Sequence, residues 1–597
     1  MINPHISFDL ETHDSTKLWR MGPEFFRVGG YSTGEGVYIT DDGYEIVRAL
    51  SHGATLTGHN IFGFDLLVLA KNFGMDTIIQ LAEQGRLRDT MTIAFLDDPP
   101  AARMQQGHIN KYYSLDQVSN RLFGERKHVD VTKQLVREYG SWGEIPRWEP
   151  RFQAYVDQDV VLTGAVADRL CGDDRSLWPY ALREHRLAAI CAQITLNGFR
   201  VDHDEVINRV DAGRAKRAQI LRRLTADYGL PTTRKDGSAS TAPQNTQAGR
   251  EAVKKAFEAI GAKYMPKTPQ GAWATGKEAM EKMIAHYGTD KGGLLQAQQD
   301  EIVALAETIQ ELNGVRTVYE TVFNNMVRDE FGWRVHPNIS GRQASGRFSF
   351  TKPGLTVMGK RGGRHVEREI FLPEPGHVII SADLSQIDAR AVAVLSQDRG
   401  YMELFGPDRD LHAEVAKRVF GTEKMREQVK PLNHGYNYGL GMAKAIDTLG
   451  VKPDVVRRFY REMREQFPRL NAWKNEMAEI AESGRLLDNG FGRKMRPDRF
   501  RGHTQGPALM GQGCARDLIC EGILRLPHIV HPMLRGIIHD EVVLSCPVEV
   551  ADDVEKIVVN ALSFEWAPAS MPNARPIQVI ADVGKRGPTW GDVYGSK

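Results

Sequence analysis

Arg535-Gly-Ile-Ile-His-Asp-Glu-Val-Val-Leu-Ser545 sets three polar residues between two apolar, β-branched runs. That pattern predicts a hairpin with His539, Asp540 and Glu541 at its turn. A second short apolar run, Gly376-His-Val-Ile-Ile-Ser-Ala-Asp383, also ends in a carboxylate, as a buried strand would supply. It runs on through Leu-Ser-Gln-Ile-Asp-Ala-Arg390, with a helix expected over Asp388–Ser396. Each feature alone has a bland reading as a core strand or an ordinary turn. A contiguous His-Asp-Glu, however, arises by chance in under about one chain in ten of this size.

Between the two lies Arg426-Glu-Gln-Val-Lys-Pro-Leu-Asn-His-Gly-Tyr-Asn-Tyr-Gly439, within a helical stretch expected over Asp410–Glu482. Arg426, Lys430, His434 and Tyr438 recur every four residues, so a helix would carry them as a stripe of two cations and two flat rings. Pro431 removes a backbone donor there; either the helix kinks or its regular part starts near Lys430.

Further towards the N-terminus, Trp333–Gly363 is rich in Gly, Ser and Arg and reads as irregular, exposed backbone. Helical periodicity covers Gln296–Val327 and Leu182–Tyr228, and Pro231–Pro243 reads as a polar loop. The opening run His5-Ile-Ser-Phe-Asp-Leu-Glu-Thr alternates like a strand, which puts Asp9 and Glu11 on one face. Asn60 precedes a helical run that begins near Asp65, and Tyr155 and Asp159 are neighbours on a helix expected over Phe152–Leu170. Residues 1 to about 173 therefore read as an α/β domain.

The chain's 597 residues predict about four domains or a few large lobes. With 77 Lys+Arg against 76 Asp+Glu, it is not a uniformly basic binder, although a basic cleft on a neutral whole remains compatible. Its 41% hydrophobic and 26% charged residues exclude wholesale disorder. No apolar run is long enough to span a membrane and no leader is evident, so a cytoplasmic location is expected. Five scattered cysteines without a CxxC pair fit neither a zinc module nor a disulfide framework.

The segments around Asp383, Arg426–Gly439 and His539–Glu541 resemble motifs A, B and C of family A DNA polymerases. Ser345-Gly-Arg347 and Gln512-Gly-Cys-Ala-Arg-Asp517 resemble further DNA-contacting segments of that family. Upstream, Asp9-x-Glu11, Asn60…Asp65 and Tyr155…Asp159 resemble, in order, the three motifs of proofreading 3′→5′ exonucleases with an RNase H-like fold. The resemblance implies an α/β and α+β multidomain chain: exonuclease over 1–180, thumb and connecting helices over 181–345, palm over 346–400, fingers over 401–500 and palm again over 501–597.

By the same resemblance, Asp383 and Asp540 would hold two divalent metals, Mg²⁺ or Mn²⁺, with Glu541 supporting them. Arg426 and Lys430 would grip the nucleotide triphosphate, Tyr438 would stack near the nascent base pair, His434 would face the sugar, and Gln386 and Asp388 would complete the nucleotide site. Arg347, Gln512, His539 and Asn60 would contact DNA. Asp9, Glu11, Asp65 and Asp159 would hold two more metals, with Tyr155 and Glu11 orienting the attacking water. The implied partners are primer–template DNA and dNTPs, possible accessory ones a helicase, primase or processivity factor, and the expected state is a monomer.

Two positions depart from the family. Asp388 stands where Glu is usual against the nucleotide's 2′ carbon, and His434 where Phe or Tyr is usual. No upstream 5′-nuclease and no large clamp-binding insertion is expected. The leading expectation is a phage replicative polymerase with proofreading. A repair or organellar relative is one alternative, and a nucleic-acid-binding protein with degenerate sites is another; the full carboxylate set disfavours the latter.

Overall fold

The computed structural model describes residues 5–52, 55–102, 104, 106–124, 129–172, 176–233, 237–240, 242–268, 271–289, 294–315, 317–360, 364–406 and 409–594. They form two compact units, one from residues 1–201 with 327–597 and one from 202–326. Among the described residues, no helix is long and apolar enough to cross a membrane.

In the first unit the strand His5–Thr12 is central to a five-stranded sheet. It pairs antiparallel with Phe26–Ser32, which pairs with Val37–Thr40, and parallel with Thr55–Gly58, which pairs with Leu87–Asp89. Ile6, Phe8 and Leu10 point into the core beneath, so the alternation turns Asp9 and Glu11 to the opposite, more open face. Helix Pro150–Cys171 packs on this strand. Pro150 starts the helix, and the Glu149 carboxylate accepts from the Phe152 N–H at 2.9 Å, which fixes where its first turn begins.

A four-stranded antiparallel sheet carries the other carboxylates, in the order Leu534–Ile538, Glu541–Pro547, His377–Leu384, Ala581–Val583. The β-branched runs around His539–Glu541 and before Asp383 are its buried interior, where both faces are covered. The long helix Gly502–Leu524 packs against Ile387–Ser396 and Pro468–Glu482. It also ties the N-terminal part to the rest through a buried ion network. Arg516 Nη2 donates to Glu184 at 2.9 Å, and Asp517 accepts from the Tyr180 hydroxyl at 2.7 Å and Asn489 Nδ2 at 2.6 Å. Charges this deep persist only when paired on both sides.

The second unit is all-helical among the described residues apart from short bridges. Helices His203–Tyr228, Gln247–Ile260, Lys277–Tyr287 and Gln296–Gly314 meet over Leu224, Phe257, Met283, Ile302 and Ile309. The loop read over Pro231–Pro243 is irregular where described; residues 234–236 and 241 lie outside the described set.

Several sequence expectations need correction. The helical stretch Leu182–Tyr228 is two helices, because Gly198, at φ +64°, ends Pro179–Asn197 and a strand, Phe199–Val201, follows. The first of these packs with the first unit, and the second unit begins at residue 202. Gln296–Val327 likewise breaks after Gly314. Trp333–Gly363 is not all exposed and irregular. Strands Gly332–Val335, Asn338–Ser340 and Ser349–Thr351 form there, and Phe348, Phe350 and Leu355 are buried. These apolar residues stand singly among Gly, Ser and Arg, so no periodic run announces them. Residues 361–363 of that stretch lie outside the described set.

Candidate active sites

Antiparallel pairing sets Asp383 opposite Glu541, and the Leu384 N–H donates to the Asp540 carbonyl at 3.0 Å. Asp383 and Asp540 are thus brought together at one end of the sheet. The turn itself is two residues, with His539 at φ +60°, so Glu541 is not a turn residue as its polarity suggested. It is a strand residue, 1% exposed. Its carboxylate accepts from Ser381 Oγ at 2.7 Å, Trp590 Nε1 at 3.1 Å, Arg368 Nη1 at 3.2 Å and the Tyr594 hydroxyl. Burial pushes its pKa up, but Lys360 and Arg368 outweigh that and hold it below the usual carboxylate range. With its oxygens so occupied, Glu541 positions the hairpin and the C-terminal segment.

Asp540 behaves in the opposite way: burial, then the neighbouring Asp383 charge, pushes its pKa up to about 7. Asp383 is also raised, by burial first. Lys360 Nζ sits 2.7 Å from Asp383 and 3.6 Å from Glu541. Burial would lower its pKa, yet Glu541 and Asp383 together raise it, so it stays charged. Two acids that resist ionising together, with only oxygen donors, fit a hard divalent cation.

The crowding predicts a pH signature in metal-free protein. A carboxyl whose folded pKa lies above its unfolded value near 3.9 costs stability as pH rises towards about 7, and the cost is absent below the unfolded value. Asp540→Asn, which removes the charge, should therefore raise the melting temperature in EDTA at about pH 8 and match wild type near pH 4. Equal melting curves at the higher pH would contradict a crowded pair.

A cavity of about 570 Å³ opens beside these acids, lined by Gln386, Asp388, His412, Lys430, His434, Tyr438 and Asp540 among others. Arg347 Nη2 donates to Asp388 at 2.8 Å. Burial and then the nearby Asp388 charge raise the Tyr438 pKa well above the usual phenol range, so that ring stays neutral. Gln386 sits at φ +56° at the start of helix Ile387–Ser396. Gly346, at φ +80°, lets the backbone beside Arg347 approach Arg493, whose guanidinium carbon would lie 2.7 Å from an added Cβ.

The helix runs from Arg426 to Asn437 with Pro431 inside it, so its regular part does not wait for Lys430. Arg426 does not line the cavity. It is held by Asp410 at 2.7 Å and by Glu427, and Tyr438 lies just past the last helical turn. His539 is exposed beside Asp540, and Gln512 is half-buried on helix Gly502–Leu524. Sequence reasoning missed Lys360, Arg368, Trp590 and Tyr594 around Glu541, and His412 on the cavity wall. Burial lowers the His412 pKa to about 4, so it is neutral at physiological pH. None of these five lies in a periodic pattern, so the sequence carried no signal for them.

The second cluster is on the N-terminal sheet. Oxygens of Asp9, Glu11 and Asp159 lie within 4.8 Å of one another, Asp159 being buried. Tyr155, one turn before Asp159, has its pKa raised far above the phenol range by burial and then by Glu11 and Asp159. Asp65 is buried at the start of helix Asp65–Phe73 and is not part of that close set. Asn60, at φ +65°, donates its N–H to Asp89 at 2.9 Å. The all-carboxylate donor set again fits a hard divalent cation.

An antiparallel sheet that brings two acids together beside a nucleotide-sized cavity fits the site of a nucleotidyltransferase. The family model for DNA polymerase family A matches residues 244–592, more than half of the chain, and the chain belongs to that family. It is 27% identical over 559 residues to a DNA polymerase of Mycobacterium phage D29, covering 89% of this chain and 83% of that one. The thermostable DNA polymerase I of Thermus aquaticus is 25% identical over 440 residues, 70% of this chain and 49% of that one. The fold is similar to the polymerase domain of Pol1 from M. smegmatis, solved in complex with DNA primer-template and dNTP. That match has TM-score 0.70 and 16% identity, and covers 99% of this chain and 96% of the other. Family A DNA polymerases use divalent metal ions.

Proposed function

We propose that this polymerase extends a primer by template-directed addition of dNTPs, removes 3′-terminal nucleotides at its second carboxylate cluster, and serves phage DNA replication. The observation that carries the synthetic half is the placing of Asp383 and Asp540 together at one end of the sheet, where the Leu384 N–H donates to the Asp540 carbonyl, beside a cavity walled by Lys430, Asp388 and Tyr438. In the reaction the primer 3′-oxygen bonds to the α-phosphorus and the bond to the pyrophosphate oxygen breaks. Divalent cations held by Asp383 and Asp540 would activate that hydroxyl and neutralise the leaving group.

The chain's own groups do the rest. Lys430 offers a mobile point charge to the triphosphate. Arg426 reaches it only after leaving Asp410. Tyr438, neutral and packed beside Asp388, presents a flat face to the base pair. Lys360 balances Asp383 and Glu541 until cations arrive.

The exonuclease half rests on the Asp9, Glu11 and Asp159 cluster, carried on the central strand of the five-stranded sheet and the helix packed on it. The phage role rests on the relative from phage D29. A 5′-labelled primer–template with Mg²⁺, followed for extension when dNTPs are present and for shortening when they are absent, tests both halves. A protein that does neither overturns the reading.

Asp388 sets a further expectation. It is one methylene shorter than Glu, so the wall near the sugar is thinner. Asp388→Glu should raise the preference for dCTP over CTP by about 10–100-fold, the worth of roughly one buried methylene in a selective site. Single-nucleotide insertion measures the ratio, and equal ratios would rule the idea out.

A further inference from the structure

The hairpin formed by strands Asn338–Ser340 and Ser349–Thr351 lies in the polymerase part of the sequence, and its Arg347 reaches the nucleotide cavity through Asp388. Five residues earlier, Arg342 points the other way. Its Nη2 donates to Asn60 Oδ1 at 2.8 Å, and its Nη1 lies 3.0 Å from the Met91 sulfur.

Asn60 needs such a hold. Its backbone is left-handed at φ +65°, kept there by its N–H on Asp89. Its side chain has room only because residue 63 is glycine: a Cβ there would meet Asn60 Oδ1 at 2.7 Å. With the backbone fixed by Asp89 and the amide oxygen by Arg342, the Asn60 side chain has one orientation.

The place where this happens is a cavity of about 480 Å³, large enough for a nucleotide. Asp9 and Asn60 line it from the N-terminal part, and Ser340, Arg342, Ser349 and Thr351 line it from the hairpin. Arg342 Nε is buried there and has no partner among the described residues.

We propose that Arg342 is a positioning residue of the 3′-end-degrading site: it orients Asn60 for the single-stranded DNA end, so that a polymerase-part hairpin completes the strand-end cleft. This rests on the exonuclease reading above. It also makes one hairpin bear on both sites, through Arg342 on one and Arg347 on the other.

The test uses the full chain, Mg²⁺ and a 5′-labelled single-stranded oligodeoxynucleotide, with kcat and KM measured separately. Arg342→Met keeps length and packing against Met91 and loses the guanidinium. It should raise KM about tenfold with a much smaller change in kcat. Arg342→Lys keeps the charge but not the planar fork and should share the raised KM, which covers the case that the methionine variant folds poorly. In an Asn60→Ala background the Arg342→Met effect should shrink to under about twofold, because the residue it acts through is gone. Melting curves show that each variant is folded. If wild type shortens the strand and the Arg342 variants match its KM, or if the two substitutions multiply independently, this inference falls and the exonuclease reading stands. If wild type leaves the strand intact, both fall.

Discussion

Asp540→Ala is expected to abolish primer extension, by about 10³-fold or more in kcat, while shortening of a 3′ end persists. A thousandfold loss is ~4 kcal/mol of transition-state stabilisation at about 1.4 kcal/mol per tenfold, a size reached when a group that holds the reacting charge is removed. On the proposed reading Asp540 is such a group: it stands at a two-residue turn beside Asp383, and burial, then the Asp383 charge, pushes its pKa up to about 7. Removing it leaves one acid where the cation site needs two. The fold should survive, since the Asp540 backbone carbonyl that accepts from Leu384 is kept. Glu541→Gln should behave differently. Its carboxylate anchors Ser381, Arg368, Trp590 and Tyr594, so its loss should lower the melting temperature together with activity. Rapid-quench extension with matched melting curves separates the two. Asp540→Ala retaining synthesis within tenfold of wild type would place the chemistry elsewhere.

What could be read from the chain before its structure was whatever lay in a continuous segment. Asp383 and Asp540 each end or interrupt an apolar β-branched run, and Asp9 and Glu11 alternate with core residues on one strand, so local pattern alone marks them. Lys360, Arg368, Trp590 and Tyr594 reach Glu541 from 49 to 181 positions away, brought there only when the sheet closes. No local pattern encodes such a meeting. Periodicity also misled in one respect. The four-residue spacing from Arg426 to Tyr438 suggested one stripe, but the stripe crosses the helix end, and a competing acid, Asp410, holds Arg426. Asp65 is buried at the start of its helix and does not belong to the set of three acids whose oxygens lie within 4.8 Å of one another.

Asp9→Ala combined with Glu11→Ala should remove 3′-end shortening by about 10³-fold or more and leave extension of a matched primer intact, the converse of the Asp540 variant. Both side chains leave the open face of one strand whose other face is core, so their removal strips the donor set without emptying any packed volume. Their oxygens lie with those of Asp159 inside 4.8 Å, and a lone buried Asp159 cannot gather a hard cation that needs several carboxylate oxygens. Tyr155 would also feel the change. Its phenol is held far above the usual range by burial and then by Glu11 and Asp159, so losing Glu11 should lower its pKa while burial keeps it above the usual range. The consequence for replication is measurable on a primer with a mismatched 3′ end. Wild type should remove the mismatch and then extend, whereas the double variant should stall on it or seal it into product. A double variant that still clears the mismatch at the wild-type rate would mean that degradation runs at other residues.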